Sequence, residues 1–180
     1  MVEAFCHNLD IHRQTALKLF GEEHADAKRG VAKSINFGLL YGMGPKKLSD
    51  TLGISTKEAK SYIESYFETF PTIKEYLSSI AEFAKKEGYV ETLLGRRRYF
   101  DFEHANGMQY AMYEREAINT VFQGSAADLI KLSMNKIMQT YVNDDAKLLL
   151  QIHDELIFEV KKERSQAFAQ EIKEVMEHIY

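Results

Sequence analysis

The chain is short of cysteine and proline. Of its 180 residues one is cysteine, Cys6, and two are proline. A lone cysteine cannot close an intramolecular bridge, so a disulfide scaffold is excluded and a reducing compartment, the cytoplasm, is the expected location. Two prolines and ten glycines leave no room for long linkers or a collagen-like repeat. No run approaches the ~20 apolar residues that a membrane span requires, so no membrane association is expected. The stretch Met1–His7 holds an acid and no basic run before an apolar core, unlike a secretory signal. Basic excess is missing too: 23 Lys+Arg stand against 27 Asp+Glu, a formal net charge of −4. Net acidity argues weakly against a nucleic-acid binder, but it misleads here because the charges are unevenly placed. What is present, 45% hydrophobic and 28% charged residues, is the balance of an ordinary globular domain. A chain of this length buries roughly 70% of its unfolded surface.

The patterning predicts a mainly helical protein with two short antiparallel β-hairpins. Helices are expected over 10–20, over 27–40 with Asp26 as cap, and over 46–52. Gly42-Met43-Gly44-Pro45 is a strong stop. Ser55-Thr56-Lys57-Glu58 resembles a capping box. It opens a helix whose face Ala59, Tyr62, Ile63, Tyr66, Phe67 is spaced for burial. A further helix is expected over 73–86. Strands 89–93 and 97–102 are expected to form one hairpin about Gly95-Arg96. A long helix over 109–140 should break near Gly124. The last hairpin alternates Leu148, Leu150, Ile152 and then Leu156, Phe158, Val160, with His153-Asp154-Glu155 at its tip. A final amphipathic helix begins at Glu163.

Three constellations carry chemistry. Arg29, Lys33 and Phe37 recur every four residues, a drift of only ~40° per step, so they share one helix face with Tyr41 at its end. A guanidinium fork and a mobile ammonium suit the phosphates of a nucleoside triphosphate, and the ring suits its sugar or base. A solvated cationic strip with a core Phe at its edge fits the same spacing. Gly30 and Gly38 each cost ~1 kcal/mol in a helix, which a close-approaching ligand would compensate. Asp154-Glu155 at a rigid tip could hold Mg²⁺ for phosphoryl transfer by two metals, or be a plain solvated turn. Arg115, Asn119 and Gln123 also share a face, and their amides could donate to the acceptors that every base pair shows in the minor groove, or the face could simply be solvated. The Arg96-Arg97-Arg98 run reads equally as a phosphate-facing patch or a charged turn. The stripe Tyr62, Tyr66, Phe67, Phe70, Tyr76 is assigned to core packing.

The segment Arg29-Gly-Val-Ala-Lys33-Ser-Ile-Asn36-Phe37-Gly38-Leu-Leu-Tyr41-Gly42 resembles the nucleotide-binding helix of family A DNA polymerases, R-x-x-x-K-x-x-x-F-G-x-x-Y-G, at every fixed position. Many members have a second Arg where Gly30 stands. Asp10-Ile11-His12, Gly88-Tyr89-Val90-Glu91-Thr92 with Gly95-Arg96-Arg97-Arg98, Gln123-Gly124-Ser125-Ala126-Ala127-Asp128 and Gln151-Ile152-His153-Asp154-Glu155-Leu156 follow in the family's order. The resemblance covers nearly the whole chain. It implies a partial polymerase right hand, with helical fingers over 1–112 and an incomplete α+β palm over 113–180. It implies a DNA-directed DNA polymerase, a nucleotidyltransferase of DNA replication and repair, acting on primer-template DNA and deoxynucleoside triphosphates with two Mg²⁺ ions. Arg29, Lys33, Phe37, Tyr41 and His12 are then nucleotide-binding, with Lys33 and Asp154 catalytic. Arg115, Asn119, Gln123 and His153 contact DNA, and Asp154 with Glu155 holds metal. The family's second catalytic Asp lies in a block reading roughly D-Y-S-Q-I-E-L-R, which this sequence does not hold. The thumb and the rest of the palm are also missing. The expectation is therefore a fragment with little or no polymerase activity of its own, or a nucleotide- and DNA-binding module without catalysis.

Overall fold

Asp10 sets the first capped helix. In a computed structural model of the chain, which describes residues 2–180, its carboxylate accepts from the backbone N–H groups of His12 and Arg13, satisfying donors that a helix start leaves unpaired. Met1 and the side chains of Val2 and Glu3, part of the opening stretch read above, lie outside the described residues. The helices run α1 Val2–Cys6, α2 Ile11–Phe20, α3 Arg29–Leu40, α4 Pro45–Leu52, α5 Thr56–Thr69 and α6 Pro71–Glu87. Strands β1 Tyr89–Glu91 and β2 Arg97–Tyr99 follow, then α7 Gly107–Asn119, a π-helical turn Thr120–Gly124 and α8 Ser125–Thr140. β3 Ala146–Ile152, β4 Glu155–Val160 and α9 Ser165–Glu177 complete the order. Each sheet is a two-stranded hairpin. The fold is thus mainly helical with two small antiparallel hairpins. Among the described residues no helix is long and apolar enough to cross a membrane.

Several boundaries are written locally. Ser55 and Glu58 form a complete capping box at the start of α5. Prolines occupy the first turns of α4 and α6, where a missing N–H costs nothing. Gly53 and Gly88 close those helices in the left-handed conformation. The expected cap Asp26 is a correction. Its carboxylate pairs with Arg13, 2.8 Å away, and α3 starts three residues later, after Lys28, with no side-chain cap.

The chain divides into two compact units, 1–90 with 98–119 and 91–97 with 120–180. The first has a core of Ile35, Leu39, Leu48, Ala59 and Tyr66, flanked by Tyr62, Phe67 and Phe70. Most of the expected aromatic stripe therefore packs the interior, while Tyr76 is half exposed. The second unit is built on Ile137, Ala146, Phe168 and Ile172, with Leu156, Phe158 and Val160 packed against them.

The β3–β4 hairpin departs from simple alternation. Leu148 faces Phe158 and Leu150 faces Ile157, so Leu149 is an extra residue in β3. Such a bulge moves every later side chain to the opposite face. Leu150 and Ile152 accordingly leave the core face and are half exposed.

Candidate functional site

The expected stripe forms on α3. Arg29, Lys33 and Phe37 are exposed and Tyr41 is half-buried. The rings of Phe37 and Tyr41 are stacked, 15° between planes and 6.4 Å between centroids, and His12 of α2 lies against Phe37 at 5.3 Å. Lys33 has no ion pair among the described residues. Arg29 does: its Nε donates to Asp10 Oδ2 over 2.6 Å. The backbone N–H of Arg13 and this guanidinium hold Asp10 well below the usual carboxylate range, at about 2. Asp10 therefore both caps α2 and steers Arg29 while leaving other guanidinium donors for an anion. Its role was not legible in the sequence, where it read only as a helix start.

Lys33, Phe37 and Tyr41 line an open cleft of about 1060 Å³ with Lys46, Arg115 and Asn119. With Lys47, five cationic or amide side chains and two rings border one concave surface, beside the carboxylates of Asp50 and Glu116, a composition that suits a nucleotide or a nucleic-acid strand. Gly42 is needed here on two counts. Its φ is +70°, and a Cβ would come within 2.8 Å of Arg115 Cγ. Gly38 also packs closely within the chain: a Cβ there would meet Met43 Sδ at 2.8 Å, a contact the expectation did not include. Around Gly30 there is open space.

Behind the stripe lies a buried polar group that periodicity overlooked. Asn36 is 2% exposed. Its Nδ2 lies 3.0 Å from Thr15 Oγ1 and 3.1 Å from His12 Nδ1. Burial, with Arg29 and Lys33 adding to it, pushes the His12 pKa down against the pull of Asp10.

The remaining expected residues lie in the second unit. Gln123 is on the π turn, a local widening of the helix that frequently marks functional sites. His153, Asp154 and Glu155 are exposed at the β3–β4 tip. His153 is held at φ +53°, a left-handed conformation uncommon for a residue with a Cβ, and its carbonyl accepts from Gln151 Nε2 at 2.9 Å. Among the described residues no side chain pairs with the Asp154 and Glu155 carboxylates, and no three His, Cys, Asp or Glu side chains gather as a metal cage. Mg²⁺ takes one or two protein carboxylates and completes its shell with water and phosphate oxygens. The adjacent pair fits that demand as a partial donor set.

The arginine run is paired throughout. Arg96 bonds Asp128 at 2.9 Å, Arg97 bonds Glu91 at 2.6 Å and Arg98 bonds Glu116 at 2.6 Å. Thr92 Oγ1 donates to the second Asp128 oxygen at 2.6 Å. These two contacts, the threonine hydroxyl foremost, hold Asp128 below the usual carboxylate range.

Comparison with known proteins gives one consistent result. The model of DNA polymerase family A matches residues 1–180. DNA polymerase I of Helicobacter pylori is 52% identical over 177 residues, covering 98% of this chain and 20% of that protein. The thermostable DNA polymerase I of Thermus aquaticus is 44% identical over 184 residues, covering 100% and 22%. Among solved structures, the POL domain of Pol1 from M. smegmatis in complex with DNA primer-template and dNTP is similar at a TM-score of 0.89 and 36% identity, covering 99% of this chain and 33% of that one. The chain spans about a fifth of the length of the curated relatives it matches.

Proposed function

This chain belongs to DNA polymerase family A, and we propose that it is the fingers (1–112) and the C-terminal part of the palm (113–180) of a DNA-directed DNA polymerase. The observation that carries the reading is the α3 stripe: Arg29, Lys33, Phe37 and Tyr41 on one face, with the His12 ring on Phe37. A similar solved chain was captured with primer-template and dNTP, which supports both ligand classes.

In this reading Arg29 and Lys33 meet the triphosphate, with Lys33 offering its three donors as charge develops on the transferred group. Phe37 packs on the sugar and Tyr41 stacks at the templating position. Arg115, Asn119 and Gln123 donate to minor-groove acceptors shared by all correct pairs, which checks geometry without reading sequence. His153 lies toward the primer terminus. Asp154, with Glu155 beside it, would hold Mg²⁺, which supplies charge neutralisation at the attacking and leaving oxygens. Two neighbouring carboxylates do not make a complete two-metal site, so the isolated chain is expected to bind without extending a primer. That is also the alternative reading, a nucleotide- and DNA-binding module, and the two share their first test.

The test is dTTP affinity of the 180-residue chain on primer-template DNA, followed by fluorescence. Loss of one charged contact is worth about 1.5–3 kcal/mol, so Lys33→Ala should weaken dTTP binding by about tenfold or more. Affinity unchanged in Lys33→Ala, or no affinity in a folded wild-type chain, contradicts the assignment. Robust primer extension abolished by Asp154→Ala would contradict only the expected inactivity.

A further inference from the structure

We propose that Asn36 is a positioning residue that holds His12 as the neutral tautomer with its proton on Nε2, so that the ring offers a donor to a phosphate oxygen beside Arg29 and Lys33. The phosphate half of this statement rests on the nucleotide-binding reading above. The tautomer half rests on hydrogen bonds alone.

One arrangement of the network pairs both hydrogens of the buried amide. A buried amide in the middle of α3 is costly unless its hydrogen bonds are made. Thr15 Oγ1 has a single proton, and the Ile11 carbonyl at 2.9 Å takes it. Asn36 Oδ1, at 3.2 Å, is the longer alternative. Toward Asn36 the hydroxyl therefore presents a lone pair, and the amide nitrogen at 3.0 Å is the donor. The second hydrogen of that nitrogen meets His12 Nδ1 at 3.1 Å. Turning the amide over would leave one of these hydrogens without an acceptor in a buried place. The orientation shown leaves only the Oδ1 acceptor short, sharing the Thr15 proton with the Ile11 carbonyl, and an under-satisfied carbonyl oxygen is the smaller cost. An Nδ1 that accepts carries no proton, so in the neutral ring the proton is on Nε2. Among the described residues nothing bonds Nε2. Burial and the two cations that lower the His12 pKa keep the ring neutral, in agreement with an accepting Nδ1. The opposite tautomer would present a lone pair to a phosphate oxygen, a repulsive contact.

The experiment is a long-range proton–nitrogen correlation spectrum of the ¹⁵N-labelled 180-residue chain at mildly alkaline pH, with dTTP affinity measured in parallel. The wild-type His12 should show an unprotonated Nδ1 and a protonated Nε2. In Asn36→Asp, whose carboxylate only accepts, the proton should move to Nδ1. Unchanged signals from His24 and His104 would report an intact fold. Asn36→Ala should give a mixed tautomer and about fivefold weaker dTTP binding, the scale of one hydrogen bond. In a His12→Gln background, where the donor is fixed by chemistry, Asn36→Ala should cost no further affinity. A wild-type His12 protonated on Nδ1, or a tautomer indifferent to folded Asn36→Asp, overturns the proposal while leaving the nucleotide reading intact. The expected tautomer in a chain without dTTP affinity overturns the nucleotide reading, and the phosphate role with it.

Discussion

The two hairpins stand in opposite relations to the rest of their unit. The turn of β1–β2 is tied down at every step. Thr92 and Arg96 close it through backbone and side chain, both bond Asp128 of α8, and the Leu93 N–H donates to Ser125 Oγ at 2.8 Å. Asp128 is buried. Among the described residues the tip of β3–β4 has one side-chain tie, Gln151 to the His153 carbonyl, and its two carboxylates are exposed. Both turns carry charged residues that look alike in sequence. One aspartate has used its oxygens on protein donors and is structural. The other is exposed, without a side-chain partner among the described residues and beside a residue in the left-handed conformation.

Breaking the tied turn should have the largest effect. Asp128→Ala leaves Thr92 and Arg96 without their acceptor and should destabilise the chain by about 2–3 kcal/mol in urea unfolding. The same carboxylate makes stability depend on acid. Its pKa is depressed in the folded state, so its contribution is complete above the ordinary carboxylate range and is lost as pH falls through and below it. Asp128→Ala should flatten that acid limb; an unchanged limb would remove Asp128 from the account. Next is Gly124→Ala, whose Cβ would come within 2.8 Å of Thr92 Cγ2 and 3.3 Å of Arg96 Nη2. Overpacking outweighs the gain in helix propensity, for a net loss of about 1 kcal/mol by thermal melt. At the untied tip the sign should reverse. His153→Gly relieves the left-handed backbone at φ +53° and should raise stability by about 0.5 kcal/mol, while weakening DNA binding if His153 meets the primer. Smallest is Asp154→Asn, expected to change stability by less than about 0.5 kcal/mol. A loss there as large as that of Asp128→Ala would erase the distinction between the hairpins.

Much of this was legible in the sequence, for identifiable reasons. Caps and stops act over three or four residues, so Ser55 with Glu58 and the stop at Gly42-Met43-Gly44-Pro45 could be read directly. The α3 stripe was legible because four-residue spacing fixes a helix face whatever lies outside it. What escaped reading depends on partners distant in sequence. Asp26 has the chemistry of a cap, but Arg13 engages it. The bulge at Leu149 adds one residue to a strand whose alternation looks regular on either side. The break near Gly124 was visible, while its π form, with Gly124 packed close to Thr92, was not. Asn36 and Asp10, which position His12 and Arg29, lie in stretches that periodicity sorts only into apolar and polar.

The division of labour between the two aspartates is tested most directly by Mn²⁺, a paramagnetic stand-in for Mg²⁺, titrated into the ¹⁵N-labelled chain. Line broadening should centre on His153, Asp154 and Glu155, leave Thr92, Arg96 and Asp128 sharp, and vanish in Asp154→Asn. Broadening centred on Asp128, or broadening at the tip that survives Asp154→Asn, would contradict the account.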